Sequence, residues 1–181
     1  MKILGLDVSS VRTGHCIINN GRLVKSSCGC LNQDSRKSYG ERLYSFEILL
    51  RDLIQTHKPD EIIIEDIFKG RSMITFKSLA MFRAIAIKVA YEELGRDPIS
   101  IMASAARALI GIKNKKEIAY EFIVKKYKLT DYEFDTHNDI CDAIVLALTA
   151  HTMKKQGINE SSLKKLGKRK KRRKNGSKRK K

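Results

Sequence analysis

The chain predicts an α/β fold: a five-stranded mixed sheet flanked by helices and followed by a basic tail. Three observations carry this expectation. Asn19-Asn20-Gly21 separates two strand-like segments, and Asn-Gly accepts the positive φ that a tight hairpin needs. Ile62-Ile63-Ile64 is a continuous β-branched run, the pattern of a strand covered on both faces. After the hairpin, helix-spaced apolar positions alternate with short strand-like runs, which is the order of an α/β sheet with helices on both faces.

Taken in order, residues 2–7 read as a buried strand, and Ser9 to Gly14 as a turn. Residues 15–19 and 22–30 are the two arms of the hairpin. Leu43, Phe46, Leu50, Leu53 and Ile54 recur at helical spacing and predict a helix over 39–56, stopped by Pro59. A strand over 61–66 follows, then a helix over 73–94 that ends near Gly95 with Pro98 beyond it. Phe76 and Phe82 are expected to pack from that helix. A short strand over 99–102 leads to a helical turn at 104–110 and a helix at 114–127. The last helix, 137–154, is expected to be capped by Asp135 or Thr136. Residues 1–155 thus form one domain and 156–181 a flexible basic tail.

The charge is unevenly spread. The 181 residues carry a net charge of +17 from 37 Lys and Arg against 20 Asp and Glu. Thirteen of those cations fall in residues 164–181, which hold no acid, leaving 24 cations against 20 acids elsewhere. Such a block cannot bury enough apolar surface to fold, and its charge density suits nucleic-acid phosphates. No apolar stretch has the roughly 18 to 20 residues of a membrane span, so no membrane partner is expected. The chain opens on a strand-like run with no evident secretory or transit segment. Four cysteines, at 16, 28, 30 and 141, show neither a disulfide framework nor paired metal spacing. Reduced thiols are expected, with Cys16 and Cys141 in the core.

Four acidic residues stand out. Asp7 ends the run Ile3-Leu4-Gly5-Leu6, and Glu65 ends Ile62-Ile63-Ile64. Asp139 and Asp142 lie three apart on the last helix, beside a core stripe of Ile140, Ala143, Ile144, Ala147, Leu148 and His151. Their face continues through Leu146 and Thr149, so it is no plain solvated surface. Each acid alone reads equally as a cap or a solvated strand end. Brought together, they would form a hard-oxygen site suited to Mg²⁺ or Mn²⁺. On so basic a chain the substrate of such a site is nucleic acid, so a nuclease is expected. Strand alternation sets Asp66 on the face opposite Glu65, which makes it the lesser candidate.

Three segments resemble RuvC-type Holliday junction resolvases of the RNase H-like superfamily. Leu4-Gly5-Leu6-Asp7-Val8-Ser9-Ser10-Val11-Arg12-Thr13-Gly14 resembles the family's opening strand and turn. Ile62-Ile63-Ile64-Glu65-Asp66-Ile67-Phe68 resembles its second acidic motif. His137-Asn138-Asp139-Ile140-Cys141-Asp142-Ala143 resembles its closing helix. The match spans 1–153 in order, and the tail lies outside it. Val8 and Ser9 replace the family's common Pro-Gly, and Ala106 stands where a lysine is usual, with Arg107 next to it.

The resemblance implies an RNase H-like fold and a homodimer that resolves four-way DNA junctions by paired symmetric nicks. It implies hydrolysis with two Mg²⁺ or Mn²⁺ ions per active site, held by Asp7, Glu65, Asp139 and Asp142, leaving 5′-phosphate and 3′-hydroxyl ends. Ser10, Arg12, Thr13, Phe68, Lys69, Arg71, Arg107, Lys113, Lys115 and Lys116 are the candidate nucleic-acid contacts. Ser10 and Thr13 also read as turn residues, and Phe68 as either a wedge at the junction or a core side chain. His137 reads as a ligand or as a cap. Helix 73–94 is the expected part of the dimer interface. The alternatives are a broader branched-DNA or RNA-processing nuclease of the superfamily, or a noncatalytic nucleic-acid-binding protein. An actin-like phosphotransferase is disfavoured, because it needs a second phosphate loop and a longer chain. A cytoplasmic or nucleoid-associated location is expected, with phage or viral origin as a further expectation from the added tail.

Overall fold

A computed structural model describes residues 1–67 and 72–159 of the chain. The elements are β1 (Lys2–Asp7), β2 (Arg12–Asn19), β3 (Arg22–Asn32), α1 (Tyr39–His57), β4 (Glu61–Glu65), α2 (Met73–Leu94), β5 (Ile99–Ile101), α3 (Ala103–Leu109), α4 (Lys116–Tyr127) and α5 (Phe134–Gln156). The strands form one sheet in the order β3-β2-β1-β4-β5. β1, β2 and β3 pair antiparallel, while β4 runs parallel to β1 and β5 parallel to β4. The expected five-stranded mixed sheet is therefore present, and Asn20 and Gly21 adopt the positive φ of the predicted hairpin.

Alternation along the central strands divides the core into two layers. Leu4, Leu6, Val8, Ile62 and Ile64 pack under α1 and α2 with Phe46, Leu50 and Phe82. Ile3, Cys16, Ile18 and Ile63 pack on the other face, against α5 and parts of α3 and α4. Ser38 starts α1 with a capping box shared with Glu41. Arg51 binds Glu47, Glu92 and Glu93, tying α1 to α2 along their outer edge.

α5 is the most buried of the described helices, with every residue from Ile140 to Ala150 buried. It lies on β1 and β2 because two glycines let the backbones touch. A Cβ on Gly5 would run into the carbonyl oxygen of Ala143, and one on Gly14 into that of Asp139. The hydroxyl of Thr149 is wholly buried and donates to the carbonyls of Ala106 (3.1 Å) and Val145 (2.7 Å), docking α3 on the face where Leu146 and Thr149 were expected.

Several boundaries differ from expectation. β2 begins at Arg12 rather than residue 15, because Gly14 and Thr13 pair with Asp7 of β1 and Leu31 of β3. β3 runs on to Asn32 for the same reason. α5 begins at Phe134 with Glu133 as its capping residue, so Asp135 and Thr136 lie inside the first turn. The ring of His137 does the capping: its Nδ1 accepts from the Glu133 N–H at 3.0 Å. His151 is half-buried and sits against the hairpin glycine, Gly21. The helix extends to Gln156, and Ile158 packs on the core, a few residues past the expected end of the domain. Phe76 is half-buried and Phe82 fully buried. Cys16 and Cys141 are buried free thiols, and Cys28 and Cys30 are half-buried ones.

Candidate active site at the strand ends

β1 and β4 run parallel with Leu6 beside Ile64, so the next residues, Asp7 and Glu65, end neighbouring strands side by side. Both belong to the alternation set of Ile3 and Ile63, which faces α5. Asp7 is also paired with Gly14, and the backbone of Asp139 lies against that glycine. The first turns of α5 therefore bring Asp139 and Asp142 over the end of β1. Asp66 turns away, as alternation requires, and pairs with Arg83 of α2 at 3.2 Å.

The electrostatics record this convergence. Burial pushes the Asp7 carboxyl well above the usual carboxylate range, and the nearby charges of Asp142, Glu65 and Asp139 push it further, against the pull of Lys116. Glu65 is raised by burial and by Asp142, with Arg107 and Lys116 opposing. Burial alone would lower Lys116, but Asp142, Asp7 and Asp139 outweigh it and raise the ammonium.

The four carboxylates fall into two kinds. Asp142 is buried, and its oxygens meet Arg107 at 3.0 Å and Lys116 at 3.3 Å. Asp139 meets Arg12 and Lys116, each at 3.6 Å. Asp7 and Glu65, in contrast, form no ion pair or side-chain hydrogen bond with any described residue. Uncompensated, half-buried oxygen donors on two adjacent strand ends fit a hard divalent cation. Among the described residues no three acidic, His or Cys side chains already surround one ion position. Lys116 spans Asp139 and Asp142 instead, so a full four-carboxylate cage requires this ammonium to give way.

The other candidates are placed as follows. Thr13 is fully buried, its hydroxyl donating to the Ser9 carbonyl and accepting from the Ser9 N–H, both at 3.1 Å. It closes the turn after Asp7 and lies off the surface. Ser10 is half-buried in that turn. Arg12, its side chain 36% exposed, lies against Cys30 of β3 and Thr136 and Asp139 of α5. Arg107 points inward, to Asp142 and to the Asn114 side chain at 3.1 Å. Lys113 and Lys115 are exposed beside the cluster's Lys116. His137 stacks on Tyr132 with ring centroids 4.3 Å apart while it caps α5. Phe68, Lys69 and Arg71 lie outside the described residues. Sequence reasoning missed Cys30 and Asn114 as partners of the two arginines, and no local signal marked them.

Acidic residues at the ends of β1 and β4, answered by a carboxylate pair on a helix across the sheet, are the arrangement expected of an RNase H-like nuclease. A family model for the crossover junction endodeoxyribonuclease RuvC matches residues 3–151. The RuvC of Aliarcobacter butzleri is 32% identical over 151 residues, covering 82% of this chain and 97% of that protein. The RuvC of Prochlorococcus marinus is 28% identical over 164 residues, covering 88% and 100%. The chain belongs to the RuvC family of crossover junction endodeoxyribonucleases, whose members depend on divalent metal ions. The fold agrees with Thermus thermophilus RuvC solved with a Holliday junction (TM-score 0.74, 15% identity, 87% and 96% coverage). It also agrees with a yeast mitochondrial Holliday junction resolvase (TM-score 0.59, 13% identity, 90% and 80% coverage). Among the described residues no helix is long and apolar enough to cross a membrane.

Proposed function

We propose that this chain is a homodimeric resolvase that cuts four-way DNA junctions by paired symmetric nicks, using Mg²⁺ or Mn²⁺ held by Asp7, Glu65, Asp139 and Asp142. The observation that carries this reading is the raised, unpaired Asp7 carboxyl, whose neighbours are the other three acids. Two ions held by these carboxylates would supply an acidified water and positive charge at the leaving 3′ oxygen. The chain's own part is to fix the donors. The β1–β4 register sets Asp7 beside Glu65, and the Gly5 and Gly14 contacts set α5 above them.

Lys116 holds a positive charge against Asp139 and Asp142, and an incoming phosphate is an alternative partner for it. Exposed Lys113 and Lys115, with half-buried Ser10, would contact the DNA backbone around the cluster; Phe68, Lys69 and Arg71, outside the described residues, are further candidate contacts. A twofold dimer presents two such sites to the two symmetric strands of a junction. Exposed Met73, Ile74 and Met81 on α2 supply apolar surface for it.

The test is a panel of labelled substrates (a four-way junction, a flap and an RNA–DNA hybrid) incubated with Mg²⁺ or with chelator. The expected result is junction cleavage in two symmetric nicks that ligase can reseal, abolished by chelator. Preferential cutting of the flap or the hybrid would overturn the junction assignment.

A further inference from the structure

We propose that Arg12 is a positioning residue for Asp139, binding protein rather than DNA; this rests on the reading of Asp139 as a metal ligand. Its Nε lies 3.2 Å from Cys30 Sγ and 3.6 Å from Asp139 Oδ2, and its Nη2 donates to the Thr136 carbonyl. One guanidinium thus joins the start of β2, the end of β3 and the first turn of α5. The fixed fork of arginine suits such a three-way tie, whereas a lysine ammonium cannot reproduce it. Arg12 pairs with Oδ2, and the other oxygen of Asp139, Oδ1, lies 3.6 Å from Lys116 Nζ.

The arrangement matters because the Glu133 side chain makes no capping hydrogen bond to α5, and the His137 ring is the only side chain described on the Glu133 N–H. Asp139 sits only two turns inside that end. Arg12 binds both the backbone of the first turn and the carboxylate itself, so it fixes the direction of the donor as well as the seat of the helix. A residue supporting a metal ligand in this way typically contributes ten- to a hundredfold to metal affinity or activity. A phosphate contact would act otherwise, weakening DNA binding and reducing its salt dependence.

The experiment compares Arg12→Gln, Arg12→Lys, Asp139→Asn and the double variant Arg12→Gln/Asp139→Asn in the full chain. Mn²⁺ binding to the protein alone is followed by calorimetry, and junction affinity is measured in Ca²⁺ across a salt series. For both Arg12 variants we expect Mn²⁺ affinity to fall about tenfold or more, with junction affinity and salt slope unchanged. In the Asp139→Asn background, removing Arg12 should add nothing further, because the arginine acts through that carboxylate. Unchanged Mn²⁺ affinity in Arg12→Gln would overturn the proposal, as would full rescue by lysine, a loss of junction affinity with a shallower salt slope, or a further loss in the double variant. If Asp139→Asn itself left Mn²⁺ binding intact, the metal-ligand reading would fail instead.

Discussion

Gly14 lies so close beneath Asp139 that a methyl group on its α-carbon would overlap the aspartate's carbonyl oxygen. Because Gly14 pairs with Asp7 across β1 and β2, this one contact sets the separation between an acid of the sheet and an acid of the helix. Gly14→Ala should therefore lift the start of α5. We expect a stability loss of about 3 kcal/mol, at the upper end for overpacking, together with loss of cleavage. Urea unfolding and junction nicking check both.

The raised carboxyls of Asp7 and Glu65 predict a pH dependence in metal-free protein. Each binds its proton more tightly folded than unfolded. Its contribution to stability is full below the unfolded-state pKa and is lost as pH rises through the folded-state value. Metal-stripped protein should thus lose stability as the pH climbs out of the acid range. Asp7→Asn should flatten that loss while abolishing cleavage. Thermal unfolding across a pH series, after metal removal, reads the difference.

Arg107 and Asp142 form a pair in which each side chain is only 12% exposed. Removing Arg107 leaves the buried Asp142 carboxylate with Lys116 as its one remaining cation among the described residues. Arg107→Ala should cost about 3 kcal/mol, more than an exposed DNA contact would. Adding Asp142→Asn should recover part of that stability without restoring cleavage. Chemical denaturation of the single and double variants checks the coupling.

The tail makes a separate prediction from its composition. Truncation after Leu163 removes 13 cations and no acids. Junction binding should weaken and its dependence on salt should flatten, while the nicking rate at saturating protein stays unchanged. Filter binding over a salt series and single-turnover nicking separate the two effects.

Much of the scaffold was legible because it is local. The Asn20-Gly21 turn, the β-branched run before Glu65 and the helical spacing of Phe46, Leu50 and Leu53 each report on neighbouring residues. Alternation also separated Glu65 from Asp66 correctly in space. The early start of α5 was hidden because its cap is a histidine reaching back from within the helix. The protein contacts of Arg12 and Arg107 were hidden for a different reason. Cys30, Thr136 and Asp142 are distant from them in sequence, Asn114 lies across a loop from Arg107, and a basic side chain on a basic protein reads equally well as a phosphate contact. The two close-packing glycines carried no local sign of their role, which depends wholly on where α5 comes to rest.

The most direct measurement is single-turnover cleavage of a synthetic four-way junction in Mg²⁺ by Asp7→Asn, Glu65→Gln, Asp139→Asn and Asp142→Asn, made one at a time. The four acids acting as one cation-binding unit predict that every variant still binds the junction and none of them cuts it. A wild-type rate in any one of the four would contradict that unit and remove its residue from the site.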